Sequence, residues 1–265
     1  MSTSDQLNTR NTDPSELPFA APCRILDVHA PVRWLRLGWQ DLRRAPAQSI
    51  TYGFVIVLIS YIVSFLAWRM GNYMLLLGLL SGFVFLGPVL AIGMYSISCQ
   101  LKLGLKPMLG YCLREGRRHL GNEMVFAMVL LVVFLIWARA ASTLHIFFPE
   151  EADPEVSDLI LFLGIGSVVG SVFAAIIFCA SAFSLPMIMD RKVDAVSAIV
   201  TSVNAVLRNK LVMLIWACLI ILCVLIGFVT AFLGLAVLLP LIGHATWHAY
   251  QETIIADAWP KHQAL

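Results

Sequence analysis

The chain has 265 residues, 60% of them hydrophobic and 13% charged, with a mean hydropathy of +0.85. Soluble domains carry about 25% charged residues, so this balance excludes an ordinary globular fold, and runs of roughly 20 apolar residues, enough to cross a bilayer core, recur along most of the chain. The formal net charge of +2 is too small to point to nucleic acid.

Residues 1–31 open with MSTSDQLNTRNTDPSELPFAAPCR, which is polar and proline-bearing and lacks the apolar core and cleavage site of a signal peptide. They read as a disordered cytoplasmic tail, followed by a six-span membrane domain over 32–256 and a second cytoplasmic tail over 257–265. WLRLGWQDLRRAP, residues 34–46, mixes apolar and basic side chains and is too polar to span. It is expected as an amphipathic helix on the membrane surface, with Trp34 and Trp39 as interfacial anchors. The first span is ITYGFVIVLISYIVSFLAW, residues 50–68, set between Arg43, Arg44 and Arg69. A second runs over 73–97 and contains Pro88.

KPMLGYCLREGRRHLGN, residues 106–122, is a second interfacial segment, and a third span follows over 123–143. Arg139 lies near the outer end of that span, where a long cation can snorkel to the headgroups. The loop PEEADPEVSD, residues 149–158, has five carboxylates but neither the spaced ligands nor the turn glycine of a calcium loop, and reads as a solvated acidic turn. The fourth span, 159–189, is rich in small residues. Its Gly166 and Gly170 form a G-x-x-x-G pair suited to close helix packing, and it carries Pro186 near its end.

Next comes DAVSAIVTSVNAVLRNK, residues 194–210, in which Val196, Val200, Val203 and Leu207 recur at helical spacing opposite Ser197, Thr201, Asn204 and Arg208. This is the third expected interfacial helix. From Leu211 to Gly243 there is no charge, a length too great for one crossing and right for two. A break between Gly227 and Gly234 gives spans over 211–229 and 233–250, the last carrying Pro240. The expected architecture is thus all-α and integral to the membrane: six transmembrane helices as three hairpins, each preceded by an amphipathic interfacial helix, an internal repeat whose second spans are marked by Pro88, Pro186 and Pro240.

Sixteen of the eighteen Lys and Arg residues fall in segments on one side of this topology, leaving Arg69 and Arg139 for the other. The positive-inside rule therefore places both termini in the cytoplasm of a bacterial inner membrane. The six cysteines lie in or beside spans or on that face, so no disulfide framework is implied.

Aligned on their prolines, the second repeat places Asp190 and Asp194 where the third places His244 and His248. Three readings are open. The histidines, with Trp247 and Tyr250, can be interfacial residues of an aromatic belt. They can form a polar lock with Asp190 and Asp194 that joins two repeats. They can also constitute a site, holding a metal or haem or relaying protons, although no cysteine or glutamate stands at motif spacing to complete a metal set.

The strings GWQDLRRAP (38–46), SLPMIMDRKVDAVSAIVTSVNAVLRN (184–209) and LPLIGHATWHAY (239–250) resemble a family of uncharacterised bacterial integral membrane proteins, filed as a domain of unknown function. Some of its members are labelled by homology as cytochrome c oxidase subunit I. The resemblance implies an inner-membrane protein of unassigned activity and supplies no catalytic residues. The oxidase label is not supported by the residues, because such a core needs about six membrane histidines on about twelve spans, and the spans here offer only His145, His244 and His248.

No G-x-S-x-G, H-E-x-x-H, phosphate-cradling glycine loop or C-x-x-C-H occurs. No cofactor and no metal is implied. The expected role is non-enzymatic, an accessory, assembly or lipid- and partner-interacting component whose partners are membrane lipids, other membrane proteins or further copies of itself. A small transporter or channel, and a redox or haem-binding subunit, are the alternatives.

Overall fold

The structure is a computed structural model that describes residues 18–70, 91–108, 110, 120–147 and 156–261. Among these the chain is helical, with no strand beyond two isolated bridges. Its helices are α1 (Ala30–Arg44), α2 (Pro46–Met70), α3 (Leu120–Phe147), α4 (Val156–Ser181), α5 (Ser184–Asp190), α6 (Ala195–Arg208), α7 (Lys210–Val229) and α8 (Leu235–Thr253), and residues 91–102 are also helical.

Among the described residues, four helical stretches are long and apolar enough to cross a membrane: Pro46–Leu66, Gly121–Thr143, Ile160–Asp190 and Lys210–Val229. They coincide with the first, third, fourth and fifth expected spans. Most of the second span, with Pro88, lies outside the described residues. The split of the last apolar run falls where expected, at Thr230–Gly234, and Tyr61 of α2 holds the turn by donating its hydroxyl to the Ala231 carbonyl. The last expected span corresponds to α8, which starts apolar at LAVLLPLI and turns polar at GHATWHAYQET, and so is not one of the four.

Helix α8 is the hub, and α1 and α2 pack on it more extensively than any other pair of elements. Glycines permit the approach: a Cβ at Gly38 of α1 would stand 2.8 Å from the Ala245 nitrogen, and one at Gly53 of α2 only 1.9 Å from the Ala236 oxygen. Gly243 of α8 similarly abuts Met94 of segment 91–102. The Gly166/Gly170 pair behaves otherwise. Among the described residues, a Cβ on Gly166 would meet nothing within 4 Å, and one on Gly170 would reach only Trp137 at 3.9 Å. Among the described residues the expected close packing is therefore not seen at Gly166 and is approached only loosely at Gly170, where α3 brings Trp137.

Pro186 shapes the fourth span differently from a kink in one helix. Proline lacks an N–H and its ring clashes with the carbonyl four residues earlier, here Ala182, and α4 ends at Ser181 before α5 resumes at Ser184. Ser202 of α6 fills the gap. Its hydroxyl accepts from the Phe183 amide at 3.1 Å and donates to the Cys179 carbonyl at 2.7 Å, so it replaces a hydrogen bond that an unbroken helix would make between those two groups. Ser202→Ala leaves both backbone groups buried without a partner and is expected to lower stability by about 1–3 kcal/mol. Thermal unfolding in detergent would check this, a midpoint equal to wild type counting against the bridge. Pro240, by contrast, sits inside a continuous α8.

Helix α6 is amphipathic as expected, yet the first half of its polar stripe faces the protein, while Arg208 at its end is exposed. Ser197, Thr201 and Ser202 are buried, whereas Val196 and Leu207 are more than half exposed. The reason is that the polar stripe has hydrogen-bond work to do: Thr201 accepts from the Ala21 amide, and Asn209, just past the helix, bonds Leu26 and Arg24. Trp34 departs from its expected anchoring role in the same way. It is fully buried edge-on to Trp216 at 5.5 Å, while Trp39 stays outward under the Arg43 guanidinium.

Residues 18–29 correct the expected tail. They form a strap fixed by Arg24 N to Thr253 O (2.9 Å), Ile255 N to Pro22 O (2.9 Å) and the Cys23–Ile254 bridge. The segment 254–261 is likewise packed, with Trp259 buried and Lys192 N donating to Pro260 O at 2.9 Å. Polar composition allows either outcome; the backbone partners supplied by α6 and by residues 190–193 decide it. Residues 1–17 and 262–265 lie outside the described residues.

Candidate functional site

Helical spacing places His244, His248 and Glu252 on one stripe of α8, each a turn above the last. That stripe meets α1, α2 and segment 91–102. His244 is fully buried, and its ring lies between two serines, with Nε2 2.8 Å from Ser49 Oγ of α2 and Nδ1 2.8 Å from Ser98 Oγ of segment 91–102. A neutral imidazole can donate on one side and accept on the other, and a hydroxyl can do either, so the three groups satisfy one another. His248 Nε2 lies 2.7 Å from Asp41 Oδ2 of α1, in a partly buried pair. Glu252 takes the fork of Arg33 and accepts from Trp34 Nε1 at 2.8 Å.

Asp190 and Asp194 do not join the histidines. Asp190 Oδ2 accepts from the Tyr250 hydroxyl at 2.8 Å, Arg191 Nε at 3.0 Å and Gln251 Nε2 at 3.5 Å. Helices α5 and α8 are therefore linked at this end, but through Tyr250, which points to the opposite side of α8 from the histidine stripe. Asp194 is the N-cap of α6, accepting from the Ser197 amide at 2.9 Å. Burial works against its charge, but hydrogen bonds from the amides of Ser197 and Val196 outweigh it and hold the carboxyl below its ordinary value.

A depressed carboxyl stabilises the fold above its unfolded pKa of about 4 and loses that contribution as pH falls through the lower folded value. Asp194→Ala should cost about 1 kcal/mol at neutral pH, and the difference from wild type should shrink in unfolding measurements taken stepwise below about pH 4. A pH-independent difference would show that the carboxylate charge is not what caps α6.

Beyond the histidine stripe, where the two straps meet α8, lies a half-open polar cleft of about 240 Å³ lined by Arg24, Asp190, Arg191, Tyr250, Asp257 and Lys261 among others. It reaches Asp190; His244 is not among its lining residues. Among the described residues no group of three or more His, Cys, Asp or Glu converges with metal-binding geometry.

Asp41, Ser49 and Ser98 are the partners that sequence reasoning did not find. One signal was available for the first: Asp41 is the only acid between Asp27 and Glu115, and it stands in an otherwise basic amphipathic helix. Nothing comparable distinguishes Ser49 or Ser98.

Residues 74–190 match the family model described as "Predicted integral membrane protein (DUF2189)", a domain of unknown function. The resemblance drawn from the sequence is thereby shown at that level, over a shorter stretch than the strings that suggested it, of which only 184–190 falls inside the match. No curated protein and no solved structure matches the chain. The molecule is an integral membrane protein with several membrane-spanning helices.

Proposed function

We propose that this is a non-enzymatic, multi-pass protein of the bacterial inner membrane that works through contacts with lipids or with other membrane proteins, itself included, as an accessory or assembly component. Its frame is six spans in three hairpins with both termini in the cytoplasm, the orientation favoured by sixteen of eighteen Lys and Arg on one side. One observation carries the reading: the ionisable and polar groups of the packed end serve to join elements. His248–Asp41 and Glu252–Arg33 tie α8 to α1, Ser49–His244–Ser98 ties α8 to α2 and segment 91–102, and Asp190–Tyr250 ties α8 to α5. A catalytic group needs a partner and an opening to substrate, and the ring of His244 has the first without the second.

Affinity purification from native membranes, paired with a lipid-preference assay, tests this. A reproducible partner, self-association or a preference for anionic lipid is expected; finding none of the three would overturn it.

A second reading, a small transporter or channel, draws on the polar cleft that reaches Asp190. It requires a path past His244, and amide exchange around His244 as fast as at the cleft wall would favour it. A haem-binding role is disfavoured chemically, since both ring nitrogens of His244 are already engaged by hydroxyls. A Soret band in the purified protein would reverse that judgement.

A further inference from the structure

We propose that the cleft between the two straps is a binding site for a phosphate group, held by Arg24 and Lys261. The inference goes beyond the accessory reading and does not depend on it. Three cations and two acids line the cleft, but they are not equivalent. Arg191 is consumed locally: its Nε lies 3.0 Å from Asp190, its Nη2 lies 3.6 Å from Asp257, and its Nη1 donates to the Trp259 carbonyl at 2.9 Å. Asp190 is in turn tied up through its Oδ2, which accepts from Tyr250, Arg191 and Gln251. That leaves Arg24 and Lys261, neither of which has an ion-pair partner among the described residues.

Arg24 is held in place for the task. Its amide donates to Thr253 O at 2.9 Å, its carbonyl accepts from Asn209 Nδ2 at 3.0 Å, and one guanidinium nitrogen donates to Glu252 O at 3.0 Å. The other guanidinium donors remain open, in the planar fork that suits phosphate oxygens. Lys261 lines the same cleft and is positioned by the backbone bridge between Arg191 and Lys261. Two unpaired cations in one polar cleft repel each other, and a ligand with two or more anionic oxygens between them removes that repulsion.

Size and depth narrow the ligand. A volume of about 240 Å³ corresponds to roughly eight waters at about 30 Å³ each, which accommodates a phosphate with a short ester and is small for a nucleotide. Along α8, residue 252 stands about 12 Å beyond His244, and His244 lies against the first turn of α2. The cleft therefore sits at the level of lipid headgroups or just outside them, so the phosphate can belong to an anionic lipid or to a small soluble phosphate ester.

The full chain, delipidated in a maltoside detergent that carries no phosphate, supplies the test. Inorganic phosphate and glycerol phosphate are titrated as soluble probes, and mixed micelles containing phosphatidylglycerol as the lipid probe, with sodium chloride at matched ionic strength as control. Binding is read by thermal midpoint and phosphorus NMR. Saturable binding is expected for at least one probe class, weakened at least tenfold in Arg24→Gln/Lys261→Gln and unchanged in Arg36→Gln, which alters an exposed cation on α1. Binding of the soluble probes alone assigns a soluble ester, and displacement of them by phosphatidylglycerol assigns a headgroup; either supports the site. If the double variant unfolds, Lys261→Gln alone, whose side chain makes no hydrogen bond among the described residues, should still weaken binding severalfold. No saturable binding of any probe, or equal binding by folded variants and wild type, would overturn the proposal.

Discussion

Replacing His244 by leucine is expected to lower unfolding stability by roughly 2–4 kcal/mol, among the largest effects of any single substitution in the chain. Leucine fills most of the space but gives nothing to Ser49 Oγ and Ser98 Oγ, which lie 2.8 Å from the two ring nitrogens. Both serines are buried, Ser49 fully so. Each stranded hydroxyl costs about 1–3 kcal/mol, reduced where it can turn back to a carbonyl of its own helix. The test that isolates the network is a double-mutant cycle. If the hydrogen bond matters, Ser49→Ala should cost much less in the leucine background than in wild type, because its partner is already gone. Equal costs in the two backgrounds, measured by denaturant titration in mixed micelles, would show that His244 acts by packing alone.

The second large effect is expected from a single methyl group. Gly53→Ala should destabilise by about 3 kcal/mol or more, since the added Cβ forces α2 away from α8 along a packed seam, and overpacking of this kind exceeds the gain of about 1 kcal/mol in helix propensity. The geometry is severe, with the new carbon 1.9 Å from a backbone oxygen that cannot rotate aside. Gly166→Ala provides the contrast. Its Cβ meets nothing within 4 Å among the described residues, so only the propensity term remains, and the substitution should be neutral or stabilising by up to about 1 kcal/mol. If the two alanines behaved alike, the difference in packing between the two glycines would be refuted.

That contrast also shows where a single sequence stops being informative. Apolar run length depends on composition alone, so the four long helices and the turn at Thr230–Gly234 could be placed from hydropathy. The existence of α6 followed from helical spacing, and that of α1 from a mix of apolar and basic residues too polar to span. Which way a face points did not, because α6 has one apolar and one polar stripe, and only the strap that docks on Thr201 decides which is buried. A G-x-x-x-G pair records that a close approach is possible and nothing about which neighbour is there; among the described residues the close helix contacts through glycine fall instead at Gly38, Gly53 and Gly243.

The candidate site was half legible for the same reason. His244, His248, Asp190 and Asp194 all make specific hydrogen bonds, but the partners of His244 and His248 lie 146 to 207 residues away in sequence. Aligning residues on their prolines compares positions along a span only. It could not capture rotation about the helix axis, which turns the histidines toward α1 and α2 and leaves Tyr250 to meet Asp190.

The straps carry a consequence for the order in which the molecule is made. Ala21 and Leu26 find their partners at Thr201 and Asn209, and Arg24 at Thr253, so the first described segment to leave the ribosome must wait for almost the last. Loops this long close slowly compared with helix formation. The apolar helices can therefore enter the bilayer one after another while residues 18–29 remain unattached, and the packed end sets only once residues 253–255 have emerged. A nascent chain arrested before Thr253 should carry its early spans in the membrane and leave the strap open to protease, and release should protect it.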